Sequence, residues 1–495
     1  MATRLKSKTN ILEALFPDFS RGAGAFDHVP GFYAIALDSD ERWGVAMPGP
    51  REVVDRIGIA AGYRVYKKIQ HGDVPWLLTY NGTNTRIYRL NAAVWQQRLE
   101  VVGGQGTDLV SFRDVIVVGL GAATAYQFSS DDGGTWTAST KTANGNRFNF
   151  AIVQQNRLTN PRVTTARTPT EIYFTNDLTN TASAMTTSST IGDNQADQDA
   201  FYSLLEDDVG MLLAGKRHAL FSMDSVGLDT KLTNDYPDPP ADAGGQGDRQ
   251  NFEAFAQIEG RTFYVVAGYE IIEYFHGQVN EYIAPKWAGP YIPRMHQPIN
   301  ALTSHGEWLI AFLGSQNTLK SATNAPGGSA LIANTFGATS DMWVGRYQAN
   351  PETGRMELTW HGVLLQTTDP LRYAWIDEDD NYLYMASGDS EAANNQQRRC
   401  IFLTVPPQYH LVAGIINLQT GTWTVETGRV HFGDPITPKR FRRFAARTIA
   451  LTSATPSLEI RYRPQPDYES TAYSSLVTWT DNYHPEIGVD FPPWQ

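Results

Sequence analysis

Short apolar runs bounded by turn-forming residues recur along most of the chain and constrain its fold more than any other feature. Examples are residues 114–119 (DVIVVG), 261–267 (RTFYVVA), 307–313 (EWLIAFL), 381–386 (NYLYMA) and 399–405 (RCIFLTV). Runs of about four to eight β-branched and aromatic residues are typical of strands, whereas helices need longer amphipathic segments. The sequence therefore predicts an all-β fold made of many short strands.

Helical patterns are scarce and lie near the beginning of the chain. The best candidates are residues 10–16 (NILEALF) and 51–59 (REVVDRIGI). We therefore predict an N-terminal arm with short helices over residues 1–60. Because strands do not alternate with helices elsewhere, the sequence argues against a parallel α/β fold and favours a sandwich, a barrel or a propeller.

A loose recurrence favours the propeller among these three. In segments 80–95, 129–136, 269–283 and 417–423 a strand ends in a polar turn and the next strand opens at an aromatic residue. Propeller blades are four-stranded sheets that repeat about every 40 to 50 residues. This spacing predicts a β-propeller of about six to eight blades over residues 61–437.

The pattern changes after Pro438. Basic and aromatic residues alternate over 439–444 (KRFRRF), and strand-like runs follow at 457–462 (SLEIRY) and 475–480 (SLVTWT). We predict that residues 438–495 form a small additional β-sheet or sandwich. The N-terminal residues could also contribute a strand to it.

One turn carries a specific motif, in which the fixed positions of an Asp-box are filled by Ser129, Asp131, Gly133, Thr135 and Trp136. We expect Asp131 to accept hydrogen bonds from turn amides, Gly133 to adopt a positive φ, and Trp136 to pack beneath the turn. The motif resembles the Asp-boxes of sialidase-like propellers, where the box is a folding device at the outer rim of a blade. It predicts architecture rather than catalysis, and a chance hairpin turn in another β fold is the alternative.

Other segments imitate functional sites without fitting them. Residues 115–126 (VIVVGLGAATAY) resemble a dinucleotide-binding glycine loop, but Thr124 replaces the third glycine and the Asp-box occupies the place of the phosphate-binding helix. Residues 377–380 (DEDD) could bind calcium or serve a glycosidase, yet the flanking strand patterns favour a solvated hairpin turn. Cys400 is the single cysteine, which excludes disulfides within the chain, and we expect it to be buried in a strand.

Charge and hydropathy narrow the classes of partner. The chain has 40 Lys and Arg residues against 52 Asp and Glu residues, a formal net charge of -12, so its field repels DNA and disfavours DNA wrapping. No apolar stretch is long enough for a signal peptide or a membrane span, and no membrane contact is predicted. Because HExxH and GxSxG motifs are also absent, we predict no catalytic residue, no metal and no cofactor.

The order of features resembles that of propeller proteins in tailed-phage particles, of which tail-nozzle or tail-tubular components are the best example. The resemblance is carried by residues 150–158, 171–176, 210–223, 264–277 and 439–462. It implies a homo-oligomeric ring through which DNA passes without sequence-specific binding. It also implies contacts with other phage tail, adaptor or portal proteins, and a place in the virion tail after synthesis in the host cytoplasm.

Three hypotheses for the function remain open at this stage. The first is a non-enzymatic structural component of a bacteriophage tail or portal-proximal assembly, forming part of the DNA channel or a docking platform. The second is a glycan-binding or glycan-hydrolysing propeller, and the third is a scaffold for cellular protein contacts. Sialidase-type catalysis needs arginines, a tyrosine and a carboxylate in one central pocket, for which the candidates considered are Arg217, Arg261, Arg346 and Tyr384.

Overall fold

A computed structural model of the 495-residue chain contains strands and no helix among the residues it describes. The described residues are 22–23, 32–33, 35–37, 39–40, 42, 47–50, 53–54, 58–92, 94–121, 124–140, 151–154, 157–161, 171–178, 186–191, 201–224, 229–239, 250–282, 299–316, 336–349, 354, 356–364, 371–377, 382–387, 398–402, 424–426, 443–447, 458–462, 474–479 and 486–490. The helix predicted over residues 10–16 lies outside them.

Six short strands precede the first large sheet, and four-stranded antiparallel sheets, here called blades, follow. The short strands are β1 (Gly22–Ala23), β2 (Phe32–Tyr33), β3 (Ile35–Leu37), β4 (Ser39–Asp40), β5 (Met47–Pro48) and β6 (Val53–Val54). Blade 1 contains β7 (Arg64–His71), β8 (Val74–Tyr80), β9 (Thr85–Asn91) and β10 (Val94–Val101). Blade 2 contains β11 (Asp108–Phe112), β12 (Val115–Gly119), β13 (Gln127–Ser129) and β14 (Thr137–Ala138). Blade 3 contains β15 (Ile152–Gln154), β16 (Arg157–Pro161), β17 (Glu171–Thr175) and β18 (Thr186–Thr190).

The remaining blades repeat this order of strands. Blade 4 contains β19 (Phe201–Glu206), β20 (Leu212–Lys216), β21 (Leu220–Met223) and β22 (Asp229–Lys231). Blade 5 contains β23 (Phe255–Ile258), β24 (Arg261–Val266), β25 (Glu270–Phe275) and β26 (Gln278–Tyr282). Blade 6 contains β27 (Ile299–His305), β28 (Trp308–Gln316), β29 (Phe336–Ala349) and β30 (Met356–Leu364). Blade 7 contains β31 (Leu371–Asp377), β32 (Tyr382–Ser387), β33 (Arg398–Ile401) and, from the other end of the chain, β6.

The first strands of consecutive blades are neighbours around a ring. β7 contacts β11, β11 contacts β15, β15 contacts β19, β23 contacts β27, and β27 contacts β31. Contact between β31 and β7 closes the ring. The protein is therefore a seven-bladed β-propeller, which confirms the predicted fold class.

The hydrophobic core is divided among the interfaces between blades. One cluster, for example, joins Trp76 and Leu78 of blade 1 to Ile116 and Val118 of blade 2. Similar clusters lie between each following pair of blades, and the last joins Trp375 of blade 7 to blade 1. Because successive side chains of a strand point to opposite faces, a blade buried on both faces needs apolar residues at consecutive positions. This requirement explains the unbroken apolar runs of the sequence.

The fourth strand of blade 7 corrects one expectation. Val53 pairs with Arg399 and Val54 with Arg398, so the helix predicted over residues 51–59 is wrong at these two positions. The edge of β33 offers backbone groups that need hydrogen-bond partners, and pairing with them outweighs a weak local helical pattern. The propeller thus takes one strand from the predicted N-terminal arm.

The late part of the chain forms further short ladders. β34 (Thr424–Glu426) pairs with β3, while β35 (Arg443–Arg447) pairs with β38 (Glu486–Asp490) and β36 (Leu458–Tyr462) with β37 (Ser474–Trp479). The strands that the structure describes after residue 438 thus form two small two-stranded sheets. The pairing of N-terminal with late residues occurs upstream of them, at β3 and β34.

Candidate functional site

The Asp-box is the hairpin turn between β13 and β14 in blade 2. Asp131 Oδ1 accepts a hydrogen bond from the Thr135 amide at 2.8 Å and one from the Ser129 hydroxyl at 2.8 Å. The Thr135 hydroxyl donates to Asp131 Oδ2, and the Gly133 amide donates to Ser129 Oγ at 2.9 Å. These bonds from Thr135 and Ser129 lower the pKa of Asp131 to about 2, because they stabilise the ionised carboxylate.

The turn also packs against the neighbouring blade. Gly133 has a φ of +81°, and a Cβ atom added there would lie 2.8 Å from Cη2 of Trp76 in blade 1. The Asp132 carboxylate lies 3.6 Å from the Arg89 guanidinium of blade 1. Trp136 is partly buried against the cluster that contains Trp76. The Asp-box side chains are thus engaged within the turn and with blade 1.

The two faces of the propeller have connections of different length. The start face is the one where the first strand of each blade begins, and the end face is the opposite one. At the end face, two-residue turns occupy 72–73, 113–114, 259–260, 276–277 and 306–307. Four long connections between blade strands join strand ends at the start face, at 139–151, 232–254, 283–298 and 317–335, whereas the long connection 402–423 leaves β33 at the end face. Long connections on a rigid scaffold commonly carry binding residues, so the start face is the candidate functional surface.

The part of the start face at blades 4 and 5 is held by a polar network. Arg217 donates two hydrogen bonds to the Asp238 carboxylate, from Nε at 2.7 Å and from a terminal nitrogen at 2.5 Å. The Asn251 amide nitrogen donates to the carbonyls of Arg217 at 2.8 Å and Pro237 at 3.0 Å. The Tyr236 ring packs edge-on against a neighbouring phenylalanine. The segment of residues 232–239 is thus fixed to the propeller.

Polar contacts also tie the inner strands of blades 7, 1, 2 and 3. Asp108, which is 2% exposed, pairs with Lys67 of blade 1 and accepts a hydrogen bond at 2.8 Å from the amide of Ala151, which precedes blade 3. The Tyr373 hydroxyl of blade 7 bonds to the backbone of Lys68 in blade 1. Burial raises the pKa of Tyr373 to about 12. These groups bridge blades around the central axis.

The candidate residues for sialidase-type catalysis are dispersed among the blades. Arg217 lies at the start face of blade 4, where it pairs with Asp238. Arg261 pairs with the buried Glu273 within blade 5. Arg346 of blade 6 stacks on Trp308, 4.9 Å from the ring centroid, and Tyr384 of blade 7 stacks on Trp375 at 5.5 Å. The structure therefore does not bring these four side chains together.

The structure also locates the single cysteine, the acidic run and the glycine-rich stretch of the sequence. Cys400 is buried in the cluster between blades 6 and 7, as predicted. Residues 377–380 connect β31 to β32, which are the predicted flanking strands, although 378–380 lie outside the described residues. β12 is followed by its antiparallel partner β13, so the chain after the glycine-rich stretch returns as a strand.

Among the residues that the structure describes, no group of three or more His, Cys, Asp or Glu side chains is arranged to hold a metal ion. The same residues include no helix with the length and hydropathy needed to cross a membrane.

Sequence reasoning missed several buried charged residues. Glu273 is fully buried and accepts hydrogen bonds from the Tyr347 hydroxyl at 2.6 Å and from Asn280 at 3.2 Å. Lys216 is 1% exposed, and its ammonium donates to the Ile191 carbonyl at 3.1 Å. Tyr347 lies 74 residues from Glu273 and Ile191 lies 25 residues from Lys216, so no local motif marks these contacts.

No protein-family model and no curated protein matches the sequence. Among solved structures, the chain is similar to YCF48 bound to a D1 peptide, with 10% identity, a TM-score of 0.45, and coverage of 73% of this chain and 98% of the other. It is also similar to a streptogramin B lyase, with 12% identity, a TM-score of 0.43, and coverage of 71% and 97%. The WD40 repeats of RRP9 give 8% identity, a TM-score of 0.43, and coverage of 72% and 99%.

Proposed function

We propose that the protein is a structural component of a bacteriophage tail or portal-proximal assembly. In this role it forms part of the DNA channel or a docking platform for other tail proteins. The proposal rests on the resemblance in the order of sequence features and on one structural observation. That observation is the difference between the two faces, since four of the long connections between blade strands begin and end at the start face while two-residue turns are frequent at the end face.

A closed seven-bladed ring is a suitable scaffold for a platform on which other tail proteins dock. Its clusters between blades hold the strands in fixed positions, and the fixed segment 232–239 shows how a long connection is anchored to the start face. Partners in a large assembly then meet a rigid base with variable loops. The partners we propose are a second copy of the chain, in a homo-oligomeric ring, and other tail, adaptor or portal proteins.

The charge of the chain is consistent with DNA passing without being gripped. The net charge of -12 repels phosphate. Several cations are also neutralised by neighbouring carboxylates, as in the pairs of Lys67 with Asp108 and Arg86 with Glu100. We therefore expect no measurable affinity for duplex DNA at physiological salt.

Mass photometry and negative-stain imaging of the purified chain test the proposal. We expect ring-shaped oligomers, or monomers that assemble when a portal-proximal protein is added. Flanking portal, capsid or tail genes would agree with this result. A stable monomer with no affinity for any portal-proximal protein would contradict the proposal.

The competing proposal is a glycan-binding or glycan-hydrolysing propeller. A glycan array and a sialoside hydrolysis assay on the same preparation distinguish the two. Hydrolysis that is lost when one carboxylate is changed would replace the structural role by an enzymatic one. For the structural role we expect neither binding nor hydrolysis above background.

A further inference from the structure

The N-terminal strap, defined as β1 to β6 together with Arg42, lies against blades 6 and 7. β1, β3 and β4 contact β30, the outermost strand of blade 6. β6 completes blade 7, and β3 pairs with β34 downstream of that blade. Ladders of two or three residues supply few hydrogen bonds, so side-chain contacts are needed to hold the strap in place.

Arg42 supplies such contacts. Its guanidinium carbon lies 5.0 Å from the centroid of the Trp308 ring and 4.8 Å from that of Phe402. Trp308 begins β28 in blade 6, and Phe402 follows β33 in blade 7, so one side chain of the strap bridges two blades. Arg42 is 2% exposed, and a cation stacked on aromatic rings is held more strongly when the site is desolvated.

A second guanidinium lies against the same indole. The guanidinium carbon of Arg346, in β29, is 4.9 Å from the centroid of the Trp308 ring. Burial lowers the pKa of Arg346, and repulsion by the Arg42 charge lowers it further. The Glu307 carboxylate, 3.8 Å from the guanidinium, acts in the opposite direction and raises it. Two like charges thus meet at one ring, and their repulsion acts only while the strap is docked.

We propose that the strap is a releasable latch on blades 6 and 7, held by the stacking of Arg42 and opposed by the charge of Arg346. Release would leave blade 7 with three strands and uncover the outer strand of blade 6. The latch would therefore control whether blade 7 has its fourth strand.

Hydrogen exchange of the full chain, followed by mass spectrometry, tests the latch with Arg42→Ala. We expect backbone amides of residues 47–54 and of β33 to exchange about tenfold faster, because the local opening equilibrium shifts. Exchange in β11 and β12 of blade 2 should not change. Arg113→Ala is the matched control, since Arg113 stacks on Phe112 at 5.0 Å in an exposed turn, and it should leave strap exchange unchanged.

Arg346→Gln tests the opposing charge. We expect strap amides to exchange more slowly, by about threefold, because the repulsion is removed while a planar amide still covers the ring. Exchange that is unchanged or faster in this variant would overturn the proposal, as would Arg42→Ala accelerating exchange equally in blade 2. If Arg42→Ala does not fold, the direction of the Arg346→Gln effect decides alone.

Discussion

Gly133 links two requirements at a single residue. Its φ of +81° lies in the left-handed region, and the space beyond its Cα is filled by Trp76 and by Cβ of Arg98, 3.0 Å from an added Cβ. Glycine tolerates this conformation without a Cβ penalty. The Asp-box glycine thus serves the turn and also allows blade 2 to approach blade 1.

Gly133→Ala is expected to lower the free energy of unfolding by about 2–3 kcal/mol, through backbone strain and overlap with Trp76. Gly82→Ala is the matched control, because Gly82 has a φ of +91° with nothing within 4 Å of an added Cβ. Strain alone should cost about 1 kcal/mol there. Urea denaturation measures both, and equal losses would contradict a packing role for Gly133.

The hydrogen bonds of Asp131 in the same turn predict that the stability of the protein depends on pH. Its hydrogen bonds lower the pKa from 3.8 to about 2 in the folded chain. A lowered folded pKa gives stability that is present above about pH 4 and is lost as the pH falls towards about 2. Asp131→Asn should therefore reduce the fall of Tm between these pH values. Asp132→Asn, which removes the same charge from the same turn, is the control; an equal effect would exclude a specific role for the Asp131 bonds.

At the scale of strands, hydrogen bonds of buried polar side chains join neighbouring blades, although each blade is a separate stretch of the sequence. Glu273 in β25 of blade 5 pairs with Arg261 in β24, and Tyr347 in β29 of blade 6 donates to the same carboxylate. The Arg261 guanidinium also lies 4.8 Å from the Tyr347 ring centroid. A buried carboxylate needs such partners, since burial without them is costly.

Tyr347→Phe should therefore destabilise the protein by about 1.5–3 kcal/mol, because a hydrogen bond to a buried carboxylate is lost while the ring is retained. The control is Tyr80→Phe, whose hydroxyl donates to the Gly82 carbonyl at 2.7 Å in an exposed setting. It should cost less than about 0.5 kcal/mol. Comparable losses in urea denaturation would mean that the hydrogen bond between blades 5 and 6 adds nothing specific.

At the scale of the whole molecule, closure depends on residues far apart in the sequence. The ring closes where β31 meets β7, and blade 7 is completed by β6. The cluster between blades 7 and 1 contains Trp375 and Tyr384 on one side and Val65 and Leu77 on the other. Loss of β6 would leave an open edge on blade 7 while this cluster could still form.

Deleting residues 1–57 tests this dependence. We expect a Tm lower by about 3 °C or more, and greater aggregation, because β33 loses its partner strand and becomes an exposed edge. Deletion of residues 1–21, which leaves β1 to β6 in place, is the control. Equal Tm values for the two truncations would show that β6 is dispensable for closure.

The sequence by itself determined the local features. Short apolar runs with alternating turns predicted an all-β propeller, the Asp-box predicted the turn between β13 and β14, and the setting of Cys400 predicted its burial. These inferences succeed because strand length, turn chemistry and burial on both faces of a sheet depend on neighbouring residues.

Only the tertiary structure decided how distant segments meet. It paired Val53 and Val54 with β33 where a helix was expected, placed Arg42 on Trp308 and Phe402, and dispersed Arg217, Arg261 and Arg346 among three blades. The physical reason is that such contacts form across large sequence separations. Their energies depend on which edges and cavities the folded ring offers, and no local pattern encodes that information.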